Sequence, residues 1–237
     1  MRILAIIPAR RGSKGVPGKN SKMLNGTPLI DYTINAAKSS RLLSRCIIST
    51  DSEEIAAIGA QNGVEAPFIR PSHLAQDDTP TLPVVQHAIN FFADRGEAFD
   101  AVCILQPTYP FRVPGFIDMC IQKFIETGAD TLISVLPVPH QYNPHWVFEK
   151  NENGFLHIAT NDEIIIPRRQ QLPEAFIRDG NIYIAKTRLV MDASSLFGKN
   201  IAFEISGAGW YVNIDTPADW DVAEQKAAAY RQAFSRV

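Results

Sequence analysis

Short apolar runs alternate with segments of helical period as far as Leu136, and this rhythm restricts the fold more than any other feature. Ile3–Pro8 reads as a buried strand, Leu29–Ser39 as a helix with Ile30, Ile34 and Ala37 on one face, and Arg45–Ser49 as a second strand. Helices are expected over Glu53–Gln61 and 83–94, a buried strand over 101–105, a helix over Phe116–Thr127 and a strand over 131–136. Such an order predicts an α/β chain with a mostly parallel sheet and helices on both faces. The rhythm breaks after Pro137. Residues 139–173 mix prolines, aromatics and short apolar runs without a useful helix, so 139–180 reads as an inserted lobe in a domain formed by 1–138 and 181–237. A strand is expected over 181–185 and a short extended segment over 211–214. A last helix follows, with Thr216 as N-cap, Pro217 in the first turn and Asp219 closing a capping box. Trp220, Ala223, Ala227, Tyr230 and Phe234 form its packing face.

The loop after the first strand is where an open α/β sheet holds its ligand. Before Asp31 there is no acid, yet Arg2, Arg10, Arg11, Lys14, Lys19 and Lys22 all occur, in a chain of net charge −2. Cations concentrated in a glycine-punctuated loop suit a phosphate, because glycine lets backbone N–H groups approach it closely. The net charge argues against a general nucleic-acid or membrane surface. Spacing excludes the common phosphate loops. Gly12 and Gly18 have five residues between them and Lys19 precedes Asn20, which is no Walker A, and Gly12, Gly15 and Gly18 do not make G-x-G-x-x-G. What remains is a triphosphate clasp of Arg, Lys and backbone N–H groups.

Other chemistries find little support. Cys46, Cys103 and Cys120 sit in apolar settings and read as buried thiols. His140 and His145 flank Asn143-Pro144 and lack helical zinc spacing. The short apolar start runs straight into a polar loop, unlike a signal peptide, and no apolar run is long enough to span a membrane, so a cytoplasmic enzyme is expected.

Several stretches carry a resemblance. They are Pro8-Ala9-Arg10, Gly12-Ser13-Lys14-Gly15 and Lys19-Asn20, then Ser49-Thr50-Asp51. Arg70-Pro71 with Leu74-Ala75 and Asp77 fits RP-x-x-LA-x-D, and residues 105–112 fit LQPTSPLR. Arg169-Gln170-Gln171-Leu172-Pro173, with Gly180 and Ile182-Tyr183-Ile184, fits RQ-x-LP…NG-x-IYI, and Ile214-Asp215-Thr216 fits DIDT. In this order, over essentially the whole chain, they resemble the N-acylneuraminate (sialic acid) cytidylyltransferases, which activate nonulosonic acids.

That resemblance implies a Rossmann-like sheet with a small dimerisation lobe, and a reaction of CTP with a keto-acid sugar giving a CMP-sugar and pyrophosphate. It implies Arg10, Ser13 and Lys19 as the triphosphate clasp, with Lys19 at the leaving pyrophosphate. Asn20, Arg70 and Thr81 become nucleotide contacts, and Gln106 and Tyr183 acceptor contacts. Arg169 and Gln170 come from the lobe of a homodimer, the arginine reaching the neighbour's sugar carboxylate. Magnesium needs a carboxylate, for which Asp215 is the choice. Asn213 stands where the family has a second acid. Alternate residues of an extended segment point the same way, so Asn213 and Asp215 should face one site, with Asp51 as another possible acid. Tyr109 and Phe111 depart from the family's Ser and Leu, and as acceptor-pocket neighbours they could alter sugar choice. The aromatic stretch 140–146 suits a dimer contact, a sugar-pocket wall or core packing. Three alternatives stay open: a nucleotidyltransferase using a sugar 1-phosphate and another NTP, one using Kdo, and a non-catalytic nucleotide-binding homologue.

Overall fold

The computed structural model describes residues 1–234. Strand β1 (Ile3–Pro8) leads into the basic loop. A two-stranded ribbon follows, β2 (Met23–Leu24) and β3 (Thr27–Pro28), turned by Asn25 and Gly26, both at positive φ. Next come α1 (Leu29–Ser39), β4 (Arg45–Ser49), α2 (Glu53–Gln61), α3 (Thr81–Ala93) and β5 (Ala101–Ile104). Helix α4 (Phe116–Thr127) and β6 (Thr131–Pro137) precede a lobe that carries the small ribbon β7 (Phe148–Lys150) and β8 (Leu156–Ile158). Strand β9 (Phe176–Lys186), α5 (Thr187–Asp192), β10 (Ile201–Ile205) and α6 (Pro217–Phe234) complete the described chain.

The main sheet has six strands in the order β10-β6-β9-β5-β1-β4. All pairings are parallel except those of β9, which runs antiparallel to both neighbours. Successive strand side chains point to opposite faces. Ile3, Ala5 and Ile7 therefore meet α1 and α4 through Ile30, Ile34 and Phe124, while Leu4 and Ile6 meet α3 through Val85, Ala88 and Phe92. Both faces are covered, which is why β1 is an unbroken apolar run. Each fully buried Ile contributes about 1.5–3 kcal/mol. Helix α6 packs Trp220, Ala223 and Ala227 on Leu29, Phe111 and Ile214, and its capping box forms as expected, with Asp219 Oδ2 accepting from Thr216 N at 2.8 Å.

Three features differ from the sequence reading. Strand β9 begins at Phe176, five residues before the expected 181, so sheet pairing resumes inside the segment assigned to the lobe. Strand β10 was not anticipated, because an edge strand with alternating exposure has no strong apolar run. Residues 211–214 are extended but pair with no strand, and Ile214 N instead donates to Thr108 O at 2.9 Å. Cys103 and Cys120 are buried and Cys46 half-buried; burial pushes the Cys46 and Cys103 thiols up to about 12. No described helix is long and apolar enough to cross a membrane.

Candidate active site

The basic loop is held at both ends. Ala9 N donates to Ser49 O at 2.9 Å, and the Asn20 side chain, itself buried, donates to Arg10 O at 2.9 Å. Gly15 has a different task from the phosphate approach expected of the loop glycines. A Cβ there would lie 1.8 Å from Asp215 O, so the loop and the 213–215 segment touch backbone to backbone at this point.

Two cavities open at the carboxyl ends of the parallel strands. The first, of 190 Å³, is lined by Arg10, Ser13, Lys19, Asn20, Arg70 and Thr81. The second, of 380 Å³, is lined among others by Arg178, Asp179, Tyr183 and Asn213. Thr81 and Gln106 belong to both and form the wall between them. Lys19 is largely buried. Its Nζ donates to Ile214 O at 2.6 Å and lies 3.3 Å from Asp215 Oδ1. Asn213 Nδ2 donates to Asp215 Oδ2 at 2.6 Å, so residues 213 and 215 do share a face. Asp215 thus sits against a cation of the first cavity and an amide of the second. Among the described residues no three His, Cys, Asp or Glu cluster as a ready metal cage. Asp215 is an exposed lone carboxylate whose oxygens face Lys19 Nζ and Asn213 Nδ2, and a single carboxylate fits magnesium shared with substrate phosphates, since that ion keeps few protein ligands.

The cationic rim is already engaged. Asp77 pairs with Arg10, and with Lys14 at 2.9 Å; hydrogen bonds from Arg10 and then Lys14 hold its carboxyl below the usual range. Asp51 Oδ1 accepts from Arg11 N at 2.7 Å. Arg70 is buried, and burial pushes its guanidinium down to about 10. Its fork is spent on Ser49, by Nη2 to the carbonyl and Nε to Oγ at 3.1 Å.

Other expected residues fall elsewhere. Arg169 and Gln170 are exposed in the lobe and line neither cavity; Arg169 borders a separate hollow with His140, Phe176 and Phe203. His140 faces that hollow, and Trp146 Nε1 donates to Ile166 O at 2.7 Å, so neither forms a wall of the two cavities in this chain. Tyr109 remains a neighbour of the second cavity, its ring 6.1 Å from that of Tyr211 in the cavity lining, whereas Phe111 is corrected from pocket neighbour to core residue. Both are buried, with Phe111 packed on Tyr32 and Tyr230 at ring distances of 5.7 and 5.0 Å. A 340 Å³ hollow between α1, α4 and α6 shares no residue with the two cavities and lies away from this chemistry.

Sequence reasoning left Arg112 and the Arg178-Asp179 pair without roles. Arg112 is fully buried and ties its own turn to α1 and β9, donating to Thr33 Oγ1 (2.8 Å), Tyr109 O (2.6 Å), Gln106 O (2.8 Å) and Asn181 O (2.9 Å). It thereby sets the strand end that carries Gln106. Asp179 stands where the quoted NG-x-IYI pattern has Asn. A polar-glycine pair inside a strand pattern is the available signal of a bulge.

A family model described as cytidylyltransferase matches residues 4–204. The chain is 33% identical over 242 residues to a CMP-N,N'-diacetyllegionaminic acid synthase of Legionella pneumophila, covering 99% of this chain and all of that protein. It is 41% identical over 244 residues to an N-acylneuraminate cytidylyltransferase of Escherichia coli, covering all of this chain and 56% of the relative. Among solved structures, a CMP:2-keto-3-deoxy-manno-octonic acid synthetase complexed with CTP superposes with a TM-score of 0.72 at 17% identity, covering 97% of this chain and 99% of the other.

Proposed function

The chain belongs to the cytidylyltransferase family, and we propose on that premise that it joins CTP to a nonulosonic, sialic-type acid, giving a CMP-sugar and pyrophosphate. One observation carries the reading: Lys19 and Asp215 meet at 3.3 Å where a basic nucleotide cleft adjoins a second cavity through the shared wall of Thr81 and Gln106. The relatives named for legionaminic and neuraminic acids support the acceptor class.

The chemistry follows from charge and position. The acceptor's anomeric hydroxyl attacks the α-phosphorus, the bond to the bridging oxygen breaks, and pyrophosphate leaves. Such a transfer needs in-line placement and neutralised oxygen charge more than covalent help. Arg10, Ser13 and Lys19 hold the triphosphate, with Lys19 at the departing pyrophosphate. Asn20 and Thr81 contact ribose and base, with Arg70, held by Ser49, forming part of the same wall. Gln106 and Tyr183 orient the acceptor. Asp215, with Asn213 as a neutral companion, would hold magnesium, which would supply charge neutralisation to the triphosphate. Asn213 carries no charge and is no general base. The lobe pairs two copies into a cytoplasmic homodimer in which Arg169 and Gln170 approach the neighbour's acceptor.

The test is pyrophosphate release by the purified protein with each NTP, magnesium and a panel of sialic, legionaminic, pseudaminic and Kdo-type acids. Release is expected with CTP and a nonulosonic acid, and chelation of magnesium should stop it. No release with CTP and any acid overturns the reading. Mass in solution checks the dimer.

A further inference from the structure

Strand β9 carries an irregularity beside the second cavity. Its register to β6 passes from Ile133↔Tyr183 to Val135↔Arg178, so two steps along β6 match five along β9. The surplus residues form a bulge around Gly180, whose φ of +81° suits glycine. Bulges re-aim side chains at sites. Here Arg178, Asp179 and Gly180 line the 380 Å³ cavity with Gln106, Tyr183 and Asn213.

Among the described residues Arg178 is the sole cation of that lining. Its neighbours on the wall include Asp179, and Asp215 lies one hydrogen bond behind Asn213. An anionic acceptor entering beside two carboxylates needs an opposite charge. The other arginines nearby are engaged: Arg10 with Asp77, Arg70 with Ser49, Arg112 with four oxygens. The Arg178 side chain is exposed and makes no hydrogen bond or ion pair among the described residues, so its planar fork is available. A guanidinium fork binds both oxygens of a carboxylate.

We infer that Arg178 binds the acceptor's carboxylate within the same chain, as a specificity-determining residue distinct from any arginine brought by a second copy. The inference rests on the reading that the acceptor is a keto-acid sugar.

The experiment measures pyrophosphate release by wild type, Arg178→Ala and Arg178→Lys. The acceptor is whichever of N-acetylneuraminic, N,N'-diacetyllegionaminic or pseudaminic acid turns over, and also its C1 carboxamide. A charge-assisted bidentate contact predicts an acceptor KM raised about 10- to 100-fold in Arg178→Ala, with the KM for CTP unchanged. Arg178→Lys should fall between. The carboxamide should lower wild-type kcat/KM by a similar factor and cost Arg178→Ala clearly less than it costs wild type. Losses from the variant and the carboxamide that simply multiply overturn the inference, as does an unchanged acceptor KM. No turnover of any acid by wild type overturns the acceptor reading itself and this inference with it.

Discussion

Replacing Gly15 with alanine should slow the reaction without unfolding the protein. The added Cβ would stand 1.8 Å from Asp215 O and 3.0 Å from its carbonyl carbon. Both obstacles are backbone, so no rotamer relieves them. To restore tolerable contact the loop and the 213–215 segment must part by at least about 1.2 Å, given the 1.8 Å start. Lys19 rides on one of these segments and Asp215 on the other. A misplacement of about 1 Å at reacting groups can cost roughly 100-fold in rate, or about 2.7 kcal/mol of barrier. The expected result is therefore a kcat about 100-fold lower in steady-state pyrophosphate release at saturating CTP, magnesium and acceptor. Thermal melting verifies that the variant is folded. Gly12→Ala is the matched control, since its Cβ would meet only Arg10 Nη1, at an ordinary 3.7 Å. It should stay near wild type. A Gly15→Ala enzyme within a few-fold of wild type would refute the argument. Equal losses in the two variants would place the cause in phosphate approach rather than in the contact with Asp215.

Three further outcomes are expected. Asp215→Ala should lose nearly all turnover while still binding CTP, and near-normal turnover would remove Asp215 from the site. Arg112→Met leaves three buried carbonyls and the Thr33 hydroxyl short of a donor. At about 1–3 kcal/mol for each such group, urea unfolding should show a loss of about 4 kcal/mol or more, and a loss under about 1 kcal/mol would mean other donors replace it. Asp77→Asn frees Arg10 and Lys14 and should lower the KM for CTP at low salt, the difference fading as salt screens the rim. Because these cations depress the Asp77 carboxyl, the wild-type clasp holds at neutral pH and is lost only as pH falls through that lowered value, so the two proteins should converge in acid.

Much of the sheet is legible because it is buried on both faces. β1, α1, β4, α2 and α4 fall at the residues expected, since each apolar run or stripe is bounded by a turn or polar break. The limits lie where pairing partners decide. The β9 bulge depends on its register with β6, which no local pattern encodes. The meeting of Lys19 with Asp215 joins positions 196 residues apart, so the sequence supplies both residues but not their contact. The resemblance implies a nucleotide contact for Arg70 but not the two hydrogen bonds to Ser49 that hold its guanidinium in the folded chain. Phe111 reads as a pocket neighbour through the resemblance, yet it packs into the core on Tyr32 and Tyr230, while Tyr109 stays beside Tyr211 of the second cavity.

The antiparallel course of β9 has a consequence for how the chain can diversify. With Pro137 paired to Phe176, β6 and β9 form one long hairpin whose tip is the whole lobe. That tip leaves and re-enters the sheet at the same end, so the closure cost rises only by about 0.6 kcal/mol for each doubling of its length. Residues can be added to or trimmed from the tip while the ladder beneath it stays paired. The hairpin is in effect a socket into which tips of different size can be fitted, each leaving the sheet at the carboxyl end of β6.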